Sequence, residues 1–261
     1  MAREPGDAGD ATRRFSNRVE NYIAYRPRYP KEVLKCLKSD CGLNPESNIA
    51  DIGSGTGILA ELFLANGNRV FGVEPNLEMR EAGERLLKGQ PGFTSVAGTA
   101  EATTLASRSI DFITAGQAFH WFDSERCRKE FRRILRPNGW VVLVWNDRRT
   151  EATPFLRAYE QLLLAHATDY DQVNHKRIDA EVVREFFGAE PARKTFPNYQ
   201  SFDLTSLRGR LLSSSYVPEA GQPGHGEMIQ PLNRVFEAHQ KEGRVTFEYD
   251  TVVYYGRCIP S

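Results

Sequence analysis

The stretch NIADIGSGTGILAELFLANG, residues 48–67, constrains the fold of this chain more than any other. NIADI is an apolar run of strand length, ILAELFLA repeats its apolar residues at helical spacing, and Gly67 stands where a helix ends. Between strand and helix lie Gly53, Gly55 and Gly57. Glycines gather where backbone takes positive φ or comes very close to a partner, so this turn is shaped for something that needs bare backbone.

The same rhythm continues downstream. NRVFGVE, ending at Glu74, reads as a second strand, and Asn76 as the cap of a helix running through Leu87. FTSVA, SIDFITA and WVVLVWN follow as strands separated by helical stretches, which predicts parallel βαβ units and a doubly wound α/β sheet. After residue 150 the rhythm changes. TPFLRAYEQLLLAHA and DAEVVREFFG are helical, RKTFPNYQSFD is strand-like, and RVTFEYDTVVYYGRC alternates as one long strand. Residues 150–190 therefore fall between the fifth and sixth strands and are expected to form a lid insertion over the ligand edge of the sheet, not a separate domain. Residues 1–14 are small, charged and glycine-containing, and read as a disordered tail.

Charge and cysteine usage exclude several functions. Basic and acidic residues balance at 34 each, so no overall field favours a nucleic-acid or anionic-membrane partner. Cys36, Cys41, Cys127 and Cys258 contain no Cys-x-x-Cys pair, which argues against a zinc site, a redox dithiol or a disulfide scaffold and suits a reducing cytoplasm. No apolar run approaches the roughly 18 residues that span a bilayer, and the N-terminus lacks a signal-peptide core.

Three ligands compete for the glycine turn. A phosphate-cradling loop needs Gly-Lys-Ser/Thr after the last glycine, and this chain has Ile58-Leu59. A dinucleotide fingerprint needs a third glycine where Ile58 stands, which disfavours a nicotinamide-dependent reductase. A nucleoside ligand without a pyrophosphate remains. Glu74, at the end of the second strand, is placed to accept hydrogen bonds from both hydroxyls of a ribose.

Asp51 before the turn, the Gly53, Gly55 and Gly57 spacing, and Glu74 together resemble the class I S-adenosylmethionine-dependent methyltransferases. The resemblance implies a Rossmann-like seven-stranded sheet of order 3-2-1-4-5-7-6, with S-adenosyl-L-methionine as cofactor and the methyltransferase domain over residues 15–261. It implies that Asp51, Gly53, Ser54, Gly55 and Gly57 pack on the methionine part of the cofactor, and that Glu74, beside Pro75, holds the ribose. AGTAEATTLASRSIDFI resembles the segment in which relatives hold the adenine amino group. Thr99 stands where many have Asp, which leaves the backbone at Ala100 and a weaker polar contact, with Glu101 read either as that contact or as a helix cap. AGQAFHWFD (115–123) resembles the small-molecule methyltransferases of the type 11 grouping, with Gln117 near the cofactor. It lacks the Asn/Asp-Pro-Pro-aromatic motif of base methylation. FSNRVENYIAYRPRYP, SSSYVP and TVVYYGR are similar to the trans-aconitate methyltransferase-like branch.

Methyl transfer from a sulfonium asks the protein to align the acceptor and exclude water, with a base only where the acceptor must lose a proton. His120 is the candidate catalytic residue, open to readings as base, positioning group or structural histidine. Phe119, Trp121 and Phe122 either wall the pocket or anchor the next helix. Tyr22, Tyr25 and Arg26 precede Pro27, whose bend is expected to fold the N-terminal helix over the cofactor, where Arg26 is placed to pair with the amino-acid carboxylate. Asn146, Asp147 and Arg148 follow the fifth strand without a matching acid on the fourth, so no metal is expected. Arg148, Arg149, Arg208 and Arg210 are the cations available to an acidic small-molecule acceptor. The expected reaction is methyl transfer to a carboxylate or hydroxyl oxygen, and a non-catalytic cofactor-binding partner of another protein is the alternative of a different class.

Overall fold

The computed structural model describes residues 19–167, 170, 180–218 and 224–257. The tail, Cys258 and most of 168–179 within the expected lid lie outside the described residues. The seven strands are β1 (Asn48–Ile52), β2 (Arg69–Val73), β3 (Phe93–Val96), β4 (Ile110–Gly116), β5 (Leu135–Arg148), β6 (Ala192–Phe202) and β7 (Val245–Arg257). They form one sheet in the order β3-β2-β1-β4-β5-β7-β6. β1, β2, β3, β4 and β5 pair in parallel, while β7 runs antiparallel to both β5 and β6. This is the order that the resemblance implied.

Nine α-helices fall among the described residues: α1 (Val19–Tyr25), α2 (Glu32–Cys41), α3 (Ile58–Leu64), α4 (Leu77–Leu86), α5 (Ser124–Ile134), α6 (Pro154–His166), α7 (Ala180–Phe187), α8 (Leu204–Leu212) and α9 (His225–His239). Their boundaries follow local chemistry. The Asn76 side chain accepts from the Met79 N–H at the start of α4, Asp123 does the same for Glu125 and Arg126 at α5, and Pro154 opens α6 behind the Thr153 cap. Cys127, Phe131 and Ile134 fall at i, i+4, i+7, so α5 buries one stripe against the sheet and leaves its arginines outside.

Each sheet face has its own core. One joins Ile52, Ile113, Leu143 and Trp145 to Phe131 of α5 and to Val183, Phe186 and Phe187 of α7. The other joins Ile49, Val70, Val142 and Val144 to α2 and α3 through Val33, Leu37, Leu59 and Phe63. A third core, the cap, lies towards the C-terminal ends of the strands. There α6, α8 and α9 pack Tyr159, Leu163, Leu207, Leu211, Met228, Leu232 and Phe236 against Val245, Phe247 and Tyr249 of β7.

The described parts of residues 150–190 therefore belong to two different cores. α6 joins the cap, whereas the apolar stripe of AEVVREFF draws α7 beneath the sheet. The cap's other two helices come from the β6–β7 connection. β5 is also longer than the WVVLVWN run, because pairing with β7 continues to Arg148 opposite Tyr249. Among the described residues no helix is long and apolar enough to cross a membrane.

Candidate active site

The glycine turn is held from behind by β2. Gly53 and Ser54 donate their N–H groups to the Val73 carbonyl at 2.9 and 3.1 Å. All three glycines take positive φ, and a Cβ on Gly53 would lie 2.7 Å from that of Ala118. The Glu74 carboxylate accepts from Gly55 N–H at 2.9 Å and from Asn76 N–H at 2.8 Å, so the acid at the end of β2 ties the turn after β1 to the cap of α4. Burial raises the pKa of Glu74, and these two donors counter that shift.

Asp51 is fully buried at the penultimate position of β1. One carboxylate oxygen accepts from the Thr114 hydroxyl at 3.0 Å, and Oδ2 has no hydrogen-bond partner in the structure. Desolvation pushes its carboxyl up to about 7. A buried acid half satisfied beside an open cavity is complementary to a cation.

That cavity opens beyond the carboxyl ends of β1, β4 and β5, where ligands of doubly wound sheets bind. Its floor is Asp51, Gly53, Ser54, Gly116 and Gln117. Gln117 sits at φ +55, and its side-chain oxygen accepts from the Asn146 N–H at 3.0 Å. Tyr22, Arg26, Pro27 and Tyr29 cross it from the N-terminal side, and Arg148, Tyr170, Arg210, Tyr216 and Tyr249 close it from the cap.

Three arginines thus line one cavity. Arg148 pairs with Glu160 and donates to the Tyr170 hydroxyl at 3.0 Å. Arg210 is buried, with Nη1 3.1 Å from the Ser214 hydroxyl. Arg26 donates to the Ser213 carbonyl at 2.8 Å, and burial together with nearby Arg210 lowers its pKa. Each guanidinium keeps one buried nitrogen without a partner: Arg26 Nε, Arg148 Nη1 and Arg210 Nε.

Other sequence candidates lie elsewhere. Arg149 is engaged by Asp250 and Glu248, and Arg208 donates to the Asn233 side chain at 2.8 and 3.0 Å. Tyr25 packs on α8, where a Cβ on Gly209 would meet its ring at 2.0 Å. Thr99 and Ala102 form an isolated bridge, Ala100 is buried in the sheet core, and Glu101 accepts from the Asp123 N–H at the threshold of α5. His120 lies with its ring tilted against that of Trp121 in a 3₁₀ turn outside the cavity lining, while Phe119 anchors the core against Phe186. Pro75 is exposed. Tyr29, Tyr170, Tyr216 and Tyr249 were not singled out by the sequence. Among the described residues no group of three His, Cys, Asp or Glu could hold a metal ion.

A methyltransferase-domain family model, the type 11 grouping, matches residues 50–143, which run from β1 through the glycine turn into β5. An uncharacterized methyltransferase of Schizosaccharomyces pombe is 28% identical over 253 residues, covering 95% of this chain and 98% of that protein. The chain is an S-adenosylmethionine-dependent methyltransferase. An uncharacterized methyltransferase of Mycobacterium tuberculosis is 34% identical over 139 residues, 53% of this chain and 54% of that one. In structure, a provisionally assigned type II methyltransferase from Anaeromyxobacter dehalogenans shares the fold, with a TM-score of 0.68 at 22% identity over 91% of this chain and all of that one. The methyltransferase domain sets aside the nicotinamide reading of the glycine turn.

Proposed function

We propose that this methyltransferase acts on an oxygen of a small anionic acceptor, most simply a carboxylate. The observation that carries the reading is the cavity's cation excess. Arg26, Arg148 and Arg210 line it, and the acids at hand are Asp51 and the Glu160 already paired with Arg148. Buried guanidiniums call for anions, and their planar forks match carboxylates.

The residues present fit the cofactor that the fold family uses. The Gly53–Gly57 turn offers bare backbone, the unpartnered Asp51 oxygen suits an ammonium, and Arg26 suits the amino-acid carboxylate. The carboxylate of Glu74 suits the ribose hydroxyls after exchanging one of its two N–H donors. When bound, S-adenosylmethionine supplies an electrophilic methyl group on a sulfonium. The protein's own part is alignment and exclusion of water. A carboxylate acceptor is already ionised, so no residue needs to take a proton, in keeping with His120 lying outside the cavity lining.

Arg148 and Arg210 are assigned to the acceptor. Arg210→Ala should raise KM for the acceptor roughly tenfold or more, as expected when a charged hydrogen bond is lost, with little change in S-adenosylhomocysteine affinity. Arg208→Ala, remote from the cavity, should leave both alone. Screening small carboxylates and uncharged alcohols against the wild type tests the class directly. A preferred acceptor without an anionic group would overturn the proposal.

A further inference from the structure

The segment between α1 and α2 delivers Arg26, Pro27 and Tyr29 to the cavity while forming no regular secondary structure over Pro27–Pro30. Its carbonyls are held by side-chain amides. Gln200 Nε2 donates to Tyr25 O at 3.1 Å, and Asn198 Nδ2 donates to Arg28 O at 2.7 Å. Asn146 Nδ2 lies 3.5 and 3.4 Å from Pro27 O and Arg28 O. These amides are themselves fixed from β7: Tyr249 Oη donates to Gln200 Oε1 at 2.9 Å, and Thr251 Oγ1 to Asn146 Oδ1 at 2.5 Å. Asn198 Nδ2 also reaches Asn146 Oδ1 at 3.1 Å, which closes the set.

The segment is also held to α8, where Arg26 donates to the Ser213 carbonyl at 2.8 Å and the Tyr25 ring packs on Gly209. The amides from β5 and β6 thus hold the backbone on the side away from that helix. Backbone sheet pairing does not hold the segment, since Pro27 has no N–H and the strands contribute side chains, not ladder bonds.

We infer that Asn198 and Gln200 are positioning residues that fasten residues 25–28 and thereby set Arg26 for ligand. Neither lines the cavity, so both act through the segment. The inference rests on the reading of Arg26 as the partner of the cofactor carboxylate.

Asn198→Asp and Gln200→Glu keep shape and replace the donor with an oxygen facing a carbonyl. Each should weaken S-adenosylhomocysteine binding about five- to tenfold, the loss of roughly one hydrogen bond. Each should also speed tryptic cleavage after Arg28 in the ligand-free protein, the Arg26–Pro27 bond being resistant to trypsin. Arg26→Ala is the control for the underlying reading: unchanged affinity in that variant removes the cofactor role of Arg26. In the double variant Arg26→Ala/Asn198→Asp, the second change should add little to the first. Should Arg26→Ala weaken binding while Asn198→Asp and Gln200→Glu only lower the melting temperature, or add independently to it, the positioning role is overturned.

Discussion

The two sides of the cavity are built in opposite ways. The floor, Asp51, Gly53 and Ser54 with Gly116 and Gln117, comes from the ends of two neighbouring strands, and its glycine turn is made largely of backbone: glycines at positive φ and N–H groups gathered by the Glu74 carboxylate behind them. The roof brings together residues as far apart as Arg26 and Ser213, and it is made of side chains, three arginines among tyrosines. A backbone site tolerates few residue types at each position. A side-chain site can be assembled from any part of the chain that the fold brings close.

If the floor is backbone, the largest effect should come from filling it. Gly55→Val puts a branched residue at φ +55 with a Cβ only 3.2 Å from Met79 Cε, and S-adenosylhomocysteine binding should fall more than about a hundredfold while circular dichroism retains most of the sheet signal. Wild-type affinity there would break the comparison at its strongest point.

Next comes Glu74→Ala, which removes the acceptor of two backbone N–H groups as well as the proposed ribose contact. Calorimetry should show about ten- to a hundredfold weaker binding, from roughly 1.5–3 kcal/mol per charged hydrogen bond. Full affinity in a folded variant would return Glu74 to a purely structural role.

Asp51 sharpens the comparison through pH. Because burial raises its folded pKa to about 7, the folded chain holds a proton that the unfolded chain has released. Its contribution to ligand-free stability is therefore full below the unfolded value and is lost as pH climbs towards about 7. Asp51→Asn should flatten that fall in melting temperature. It should also remove a several-fold gain in S-adenosylhomocysteine affinity between about pH 6 and about pH 8, since the ionised acid is the form that attracts an ammonium. A wild-type affinity that ignores pH across this range would detach Asp51 from the ligand.

The smallest effect belongs to His120. With a carboxylate acceptor, His120→Ala should lower kcat only about threefold or less, whereas a hydroxyl acceptor relying on it as base would lose roughly 10²- to 10⁴-fold.

Legibility in the sequence divided along the same line. The strand rhythm, the Asn76 cap and the glycine turn could be read because each depends on residues a few positions apart. α9 was not read: Met228, Leu232 and Phe236 keep helical spacing, but Pro231 inside the run disguises it. On the N-terminal side, helical spacing separates two tyrosines. Tyr22 lies four residues before Arg26, whose guanidinium sits 5.0 Å from its ring, while Tyr25 points to α8.

By itself, then, the sequence determined the sheet, its glycine turn and the acid that braces it, because hydrophobic period and positive-φ requirements are local. Tertiary structure alone decided which arginines matter. Arg208 and Arg210 stand two apart on α8, about 200° around the helix from each other, so that one meets Asn233 and the other lines the cavity. Arg148 ends β5 and Arg149 follows it, its N–H still on the Glu248 carbonyl of β7, and successive side chains of such a run face opposite sides, so one is buried with Tyr170 and the other is held by Asp250. In both pairs the residue type was plain, and only the packing of the cap against β7 settled which charge turned inward.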